Sequence, residues 1–331
     1  MAFDLTSHLG NWGDSSVASL HRAREAVFAP PVTTRRDFLR GASCLASTFF
    51  VPKTLPLQHF LAGIIPVGKT TVANGPSEIA EYCREIAALG FHRFEINNTR
   101  AGIAQHYVNK IPEFEEQMAM RHLTLVGLAQ YSRSAQGDAL PELLDQHLLI
   151  GRFLAGVGGK YITHMLAPGE ILNESDESAY ENVDVKVWAR NANEIGRCLF
   201  GQWGIKLGYH PLRSEVSGAL FERFLDLTDD RSVFLIADIG HLAAGGANPI
   251  EVCRQYRQRL LAIHLKDFSP TPSPERRSKT GNVPFGRGIV NIAAVVSELE
   301  RSKFSGWVLG ESGGTNLAMR DYMVGPLHLT I

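Results

Sequence analysis

Apolar and polar positions along the chain follow two alternating rhythms. From about residue 58 onward, short apolar runs of five to seven residues recur: Phe60–Ile65, Phe91–Ile96, Leu123–Ala129, Lys160–Met165, Ile205–His210, Val233–Asp238, Leu260–Leu265 and Trp307–Glu311. Continuous apolar runs of this length, rich in Val, Ile and Leu, read as strands buried on both faces. Between them lie helical spacings. After Pro76, the residues Ile79, Cys83, Ile86 and Leu89 recur at three to four, and a second pattern runs over Pro141–Val157. Strand and helix in strict alternation imply a parallel sheet with right-handed crossovers. Eight such units predict a (β/α)8 TIM barrel rather than an open doubly wound sheet, and no G-x-G-x-x-G follows the first strand.

The rhythm is absent from the first part of the chain. Residues 1–53 read as a loose N-terminal extension, and 54–331 as the barrel. Within the extension, the segment 33–52 carries Thr34-Arg35-Arg36-Asp37-Phe38-Leu39-Arg40, an apolar run from Gly41 to Val51, and Pro52. That pattern resembles a twin-arginine export signal, read by an export machinery that moves folded proteins. The expectation is a periplasmic protein whose residues before 53 stay out of the barrel core. Without the signal, the expectation becomes a cytoplasmic protein.

Composition narrows the chemistry. With 33 Lys+Arg against 34 Asp+Glu and a net charge of −1, the chain lacks the basic surplus of a nucleic-acid binder. No apolar run reaches the roughly 18 residues of a membrane span, so no stable membrane insertion is expected. The four cysteines are far apart and form no metal-finger spacing. Metal ligands must therefore come from His, Asp and Glu.

A barrel demands its chemistry at the C-terminal ends of the strands. His210, Asp238, His264 and Glu311 end four successive apolar runs. Burying four ionisable groups together is costly unless they are paired or bind a cation. A mixed N/O set suits one divalent metal ion, Mn2+, Co2+, Fe2+ or Zn2+, with Mg2+ less favoured. His241, three residues after Asp238, is expected to contact substrate hydroxyls. Lys266 is read as an oxyanion stabiliser or, preferably, as an ion-pair partner of Asp267. Glu95 and His164, near the ends of the second and fourth runs, are expected substrate contacts.

The blocks Ala237-Asp238-Ile239-Gly240-His241, Ile263-His264-Leu265-Lys266-Asp267, Phe285-Gly286-Arg287-Gly288-Ile289-Val290-Asn291 and Gly306-Trp307 to Glu311 resemble motifs of the sugar phosphate isomerase/epimerase superfamily, with its xylose isomerase-like barrel. Gly208-Tyr209-His210-Pro211 is similar to the inosose dehydratase-like and keto-sugar branches. The resemblance implies one divalent metal held from strands five to eight, here by His210, Asp238, His264 and Glu311. Many epimerases of that superfamily end strand five with a Glu. Here His210 stands there, with Glu215 five residues on, open as a ligand, a substrate contact or a loop residue.

The implied function is a metal-dependent isomerase, epimerase or dehydratase-like lyase acting on a sugar or keto-sugar through a metal-stabilised enediolate. Glu311 is the base, and His210 or Glu215 the proton donor. The alternative is a sugar-binding barrel without catalysis. A P-loop-like stretch, Gly63-Ile64-Ile65-Pro66-Val67-Gly68-Lys69-Thr70, is disfavoured as a nucleotide site because Asn74-Gly75-Pro76 breaks the helix it requires. The segment Phe268–Arg287 is long enough for a lid or for a contact between copies, so a homo-oligomer is one assembly expected.

Overall fold

The computed structural model describes residues 58–66, 78–167, 177–271 and 281–331. The twin-arginine segment, and Val67–Thr70 of the P-loop-like stretch, lie outside them. Eight parallel strands close into a barrel: β1 Leu61–Ile64, β2 Arg93–Asn97, β3 Thr124–Ser132, β4 Tyr161–Leu166, β5 Lys206–Tyr209, β6 Val233–Asp238, β7 Leu260–Leu265 and β10 Trp307–Gly310. Each pairs with its neighbour in turn, and β1 closes the ring by pairing with both β10 and β2. The expected (β/α)8 architecture is what forms.

The strands expected to end at His210 and Glu311 stop one residue short, at Tyr209 and Gly310. Their last polar residues nevertheless stay in register. The His210 N–H donates to His164 O at 3.0 Å, and the Glu311 N–H to Leu265 O at 2.9 Å. The interstrand ladder therefore aims both side chains before the backbone turns away.

Side chains alternate across each strand. One set packs outward against the helices. There Trp188, from the helix Val185–Trp203, stacks on Phe224 at 3.9 Å between ring centroids and meets Tyr209 of β5 edge-on. That helix starts where Asp184 accepts from the Lys186 and Val187 N–H groups and stops at Gly204, whose φ of 66° suits glycine. The inward set forms an apolar plug of Val126, Tyr161, Ile236, Leu261, Ala262 and Leu309. Gly63, the first glycine of the P-loop-like stretch, lies within β1, where a Cβ would come 2.6 Å from Arg93 O and 2.8 Å from Leu309. Close packing explains it without a phosphate.

At Phe268–Arg287, the segment read as long enough for a lid or a contact between copies, a short antiparallel ladder pairs β8 Asp267–Phe268 with β9 Asn282–Val283. No helix among the described residues is long and apolar enough to cross a membrane.

Candidate metal centre

Asp238 shows how one short motif builds the site. Its Oδ1 accepts from the Gly240 and His241 N–H groups, both at 2.9 Å, capping the helix Ile239–Ala244. The cap fixes the carboxylate so that Oδ2 faces the barrel mouth, 3.3 Å from His210 Nε2 and 3.0 Å from Lys266 Nζ. Gly240 is required by proximity, since a Cβ there would stand 2.7 Å from Lys266 Cγ. The cap also brings in His241, whose Nε2 lies 3.3 Å from Lys266 Nζ and 3.9 Å from Asp238 Oδ2.

Among the described residues, donor atoms of His210, Asp238 and His264 all lie within 4.8 Å of one another, and all three residues are buried. Nδ1 of His210 and Nδ1 of His264 have no hydrogen-bond partner. Buried polar atoms without partners are costly, and two imidazoles with one carboxylate are the donor set that borderline divalent ions prefer. These residues fit a divalent cation.

The charges are mutually supported. Burial would lift the Asp238 carboxyl, but Lys266, then His241 and His210, hold it well below the usual carboxylate range. Burial would lower the His264 imidazole, yet Glu95, then Asp238 and Glu311, raise it above its ordinary value.

Glu311 stands just outside this trio. Its Oε1 is 3.0 Å from Lys266 Nζ, and its side chain is 24% exposed against 0% for Asp238. It is a carboxylate open to an incoming molecule, tied to the metal cluster through one ammonium group.

Three expectations are corrected by strand alternation. Lys266 does not pair with Asp267, because neighbours along a strand point to opposite sides. Lys266 follows His264 inward, whereas the Asp267 carboxylate accepts from the Phe268, Arg287, Gly288 and Val290 N–H groups at 2.8–3.2 Å. That clamp explains the Gly288 position, where a Cβ would fall 2.1 Å from Asp267 Oδ1. His164 is not at the mouth. It points outward between β4 and the helix Leu140–Gly156, with Nδ1 3.2 Å from His147 Nε2 and Nε2 3.0 Å from Ser134 Oγ.

Glu215 is the third. It is fully buried on the short helix Arg213–Ser217 and accepts from the hydroxyl of outward-facing Tyr209. Burial pushes its carboxyl up to about 8. It is therefore turned to Tyr209 and stands apart from the His210–Asp238–His264 trio.

Glu95, in contrast, is on the inner wall. It is 1% exposed, and its Oε2 is 3.4 Å from His264 Nε2. It meets the site from beneath rather than from the mouth. The Ser134–His164–His147 chain had no local motif to announce it, whereas Asp267 and its partners Arg287, Gly288 and Val290 lie in two of the blocks that carry the family resemblance. Period-two alternation within β4 and across Leu265–Asp267 was the available signal.

The closed eight-stranded parallel barrel defines the class of fold to which the chain belongs. The family model described as xylose isomerase-like TIM barrel matches residues 83–321, and the chain belongs to that family. An inosose dehydratase of Clostridium botulinum (strain Alaska E43 / Type E3) is 24% identical over 277 residues, spanning 76% of this chain and 88% of the relative. The crystal structure of the probable 3-DHS dehydratase AsbF, involved in petrobactin synthesis, from Bacillus anthracis superposes with a TM-score of 0.61. It is 15% identical and covers 82% of this chain and all of that one. The IOLI protein, crystallised with a zinc atom, superposes with a TM-score of 0.57 at 17% identity, over 81% of this chain and 98% of its own.

Proposed function

We propose that the protein is a divalent-metal-dependent enzyme that removes the proton beside the carbonyl of a keto-sugar or ketocyclitol, with loss of water or 1,2-isomerisation as the outcome. The observation that carries this reading is the juxtaposition of the buried His210–Asp238–His264 trio with the exposed Glu311–Lys266 pair. A divalent ion held by the trio would polarise the carbonyl and neutralise charge on the enediolate. Glu311, the carboxylate reachable from the mouth, takes the proton from carbon. Lys266 and His241, 3.3 Å apart, are the donors that can return a proton or hand one to a departing hydroxyl.

In elimination, the C–H electrons form the new C=C bond as the β C–O bond breaks, and the hydroxyl leaves protonated as water. A symmetric two-carboxylate epimerase is disfavoured because Glu215 faces the helix layer. The inosose dehydratase relative supports elimination.

The test is to measure bound metal in purified protein and to screen keto-sugars and inososes for proton exchange with deuterated solvent and for dehydrated product. Exchange that is lost with a chelator and restored by metal is expected. Sugar binding without exchange at full metal occupancy would leave a non-catalytic sugar-binding barrel in its place.

Export to the periplasm is a separate proposal resting on the Arg35-Arg36 pattern. Replacing the pair with Lys-Lys is expected to retain the protein in the cytoplasm, and unchanged export overturns it.

A further inference from the structure

Glu95 is a buried carboxylate that the proposed chemistry leaves without a task. It comes from β2, on the far half of the barrel from the strands that supply the trio. Its Oε2 lies 3.4 Å from His264 Nε2, and the two side chains are 1% and 2% exposed. Around the carboxylate stand Thr163 and Tyr161 of β4. Burial would raise its carboxyl, yet His264, then these hydroxyls, keep it below its ordinary value. Glu95 is outside the set of donors that lie mutually within 4.8 Å. Its place is behind one ligand, against the apolar plug that includes Tyr161.

An imidazole has two nitrogens, and whichever carries the proton leaves the other with the lone pair. A carboxylate 3.4 Å from Nε2 is placed to accept that N–H, which would assign the lone pair to Nδ1; neither ring nitrogen of His264 makes a hydrogen bond, and Nε2 has its ion-pair contact with Glu95 while Nδ1 has none. We propose that Glu95 is a positioning residue: it accepts from His264 Nε2–H, fixing the tautomer and ring orientation in which Nδ1 binds the divalent cation. A carboxylate behind a ligating histidine also raises its basicity, and losing such a partner weakens metal binding by about 10- to 100-fold. The substrate contact expected of Glu95 from the strand pattern gives way to this role. The proposal rests on the metal-dependent reading above.

The test uses the full chain, with Co2+ as probe, titrated into wild type, Glu95→Gln and the ligand control Asp238→Asn while the visible Co2+ bands are followed. The amide retains shape but is a poor acceptor for an N–H shared with a cation-bound ring. Glu95→Gln is expected to weaken Co2+ binding about 10- to 100-fold with band positions and intensities unchanged, because the ligand set is intact. Asp238→Asn is expected to alter the bands.

Equal affinity in Glu95→Gln and wild type overturns the proposal alone. Changed bands make Glu95 a direct ligand and also overturn it. Failure of wild type to bind Co2+ removes both this proposal and the metal-dependent reading. Should Glu95→Gln fail to fold, histidine-ring 15N shifts of Zn2+-loaded wild type decide. Protonated Nε2 at His264 is expected, and protonated Nδ1 overturns the assignment.

Discussion

His210 and His164 are hydrogen-bonded neighbours across β5 and β4, yet they belong to opposite worlds. His210 faces into the barrel, beside Asp238 and His264, where buried nitrogens stand without hydrogen-bond partners and charges are shared with Lys266. His164 faces out, in a chain running from Ser134 Oγ through His164 and His147 to Leu143 O in which every ring nitrogen has a partner. Burial pushes His147 down to about 4 and His164 well below its ordinary value, so both rings are neutral. The inner cluster keeps unspent bonding capacity for a ligand, and the outer one uses its capacity to join barrel to helix. Satisfied hydrogen bonding, not burial or residue type, is what distinguishes the two clusters.

The contrast breaks most sharply at Glu311. Glu311→Gln is expected to lower the rate of solvent proton exchange by about 10²- to 10⁴-fold, because the amide cannot accept the proton. Sugar binding and the thermal midpoint are expected to stay near wild type. A variant that keeps its exchange rate would move the base elsewhere.

On the outer side the expected effect falls on stability instead. The native pKa of His147 is depressed from 6.5 to about 4. Its contribution is therefore present above pH 6.5 and is lost as pH falls from 6.5 through about 4, a loss on the order of 3 kcal/mol. Denaturant midpoints measured from pH 7 to 4 are expected to show that fall, and His147→Leu to remove its share while the likewise depressed His164 keeps its own, with metal affinity unchanged. A variant as acid-sensitive as wild type would assign the acid limb to other groups.

Glu215 provides the smallest and oppositely signed effect. Its native pKa is raised from 4.5 to about 8, so its contribution is complete below pH 4.5 and is lost as pH rises through 8. Glu215→Gln, which cannot ionise, is expected to match wild type near pH 4.5 and to exceed it by roughly 1 to 2 kcal/mol by pH 8. The gain is limited because the short helix Arg213–Ser217 can open locally and let water reach a charged carboxylate. Parallel stability curves for the two proteins would show that the carboxyl is not protonated in the fold.

The sequence by itself determined the barrel and the half of it that holds the His210–Asp238–His264 cluster. Eight apolar runs at regular intervals leave few ways to bury both faces of every strand, and polar groups at the end of β6, one residue before the end of β7, and adjoining β5 and β10 are conspicuous against such runs. Asp238, His264 and His210 were legible for that reason, and His241 because the helix capped by Asp238 begins beside it. What sequence position could not decide was which face each strand end presents. Barrel closure and local register settle that: they turned His164 and Tyr209 outward, carried Glu215 to Tyr209, and paired Lys266 with Asp238 and Glu311 rather than with its neighbour Asp267. The approach of Glu95 to His264 joins strands that are distant in the chain and not adjacent in the sheet. Only a closed interior, in which every inward side chain faces those across the barrel, brings such a pair together.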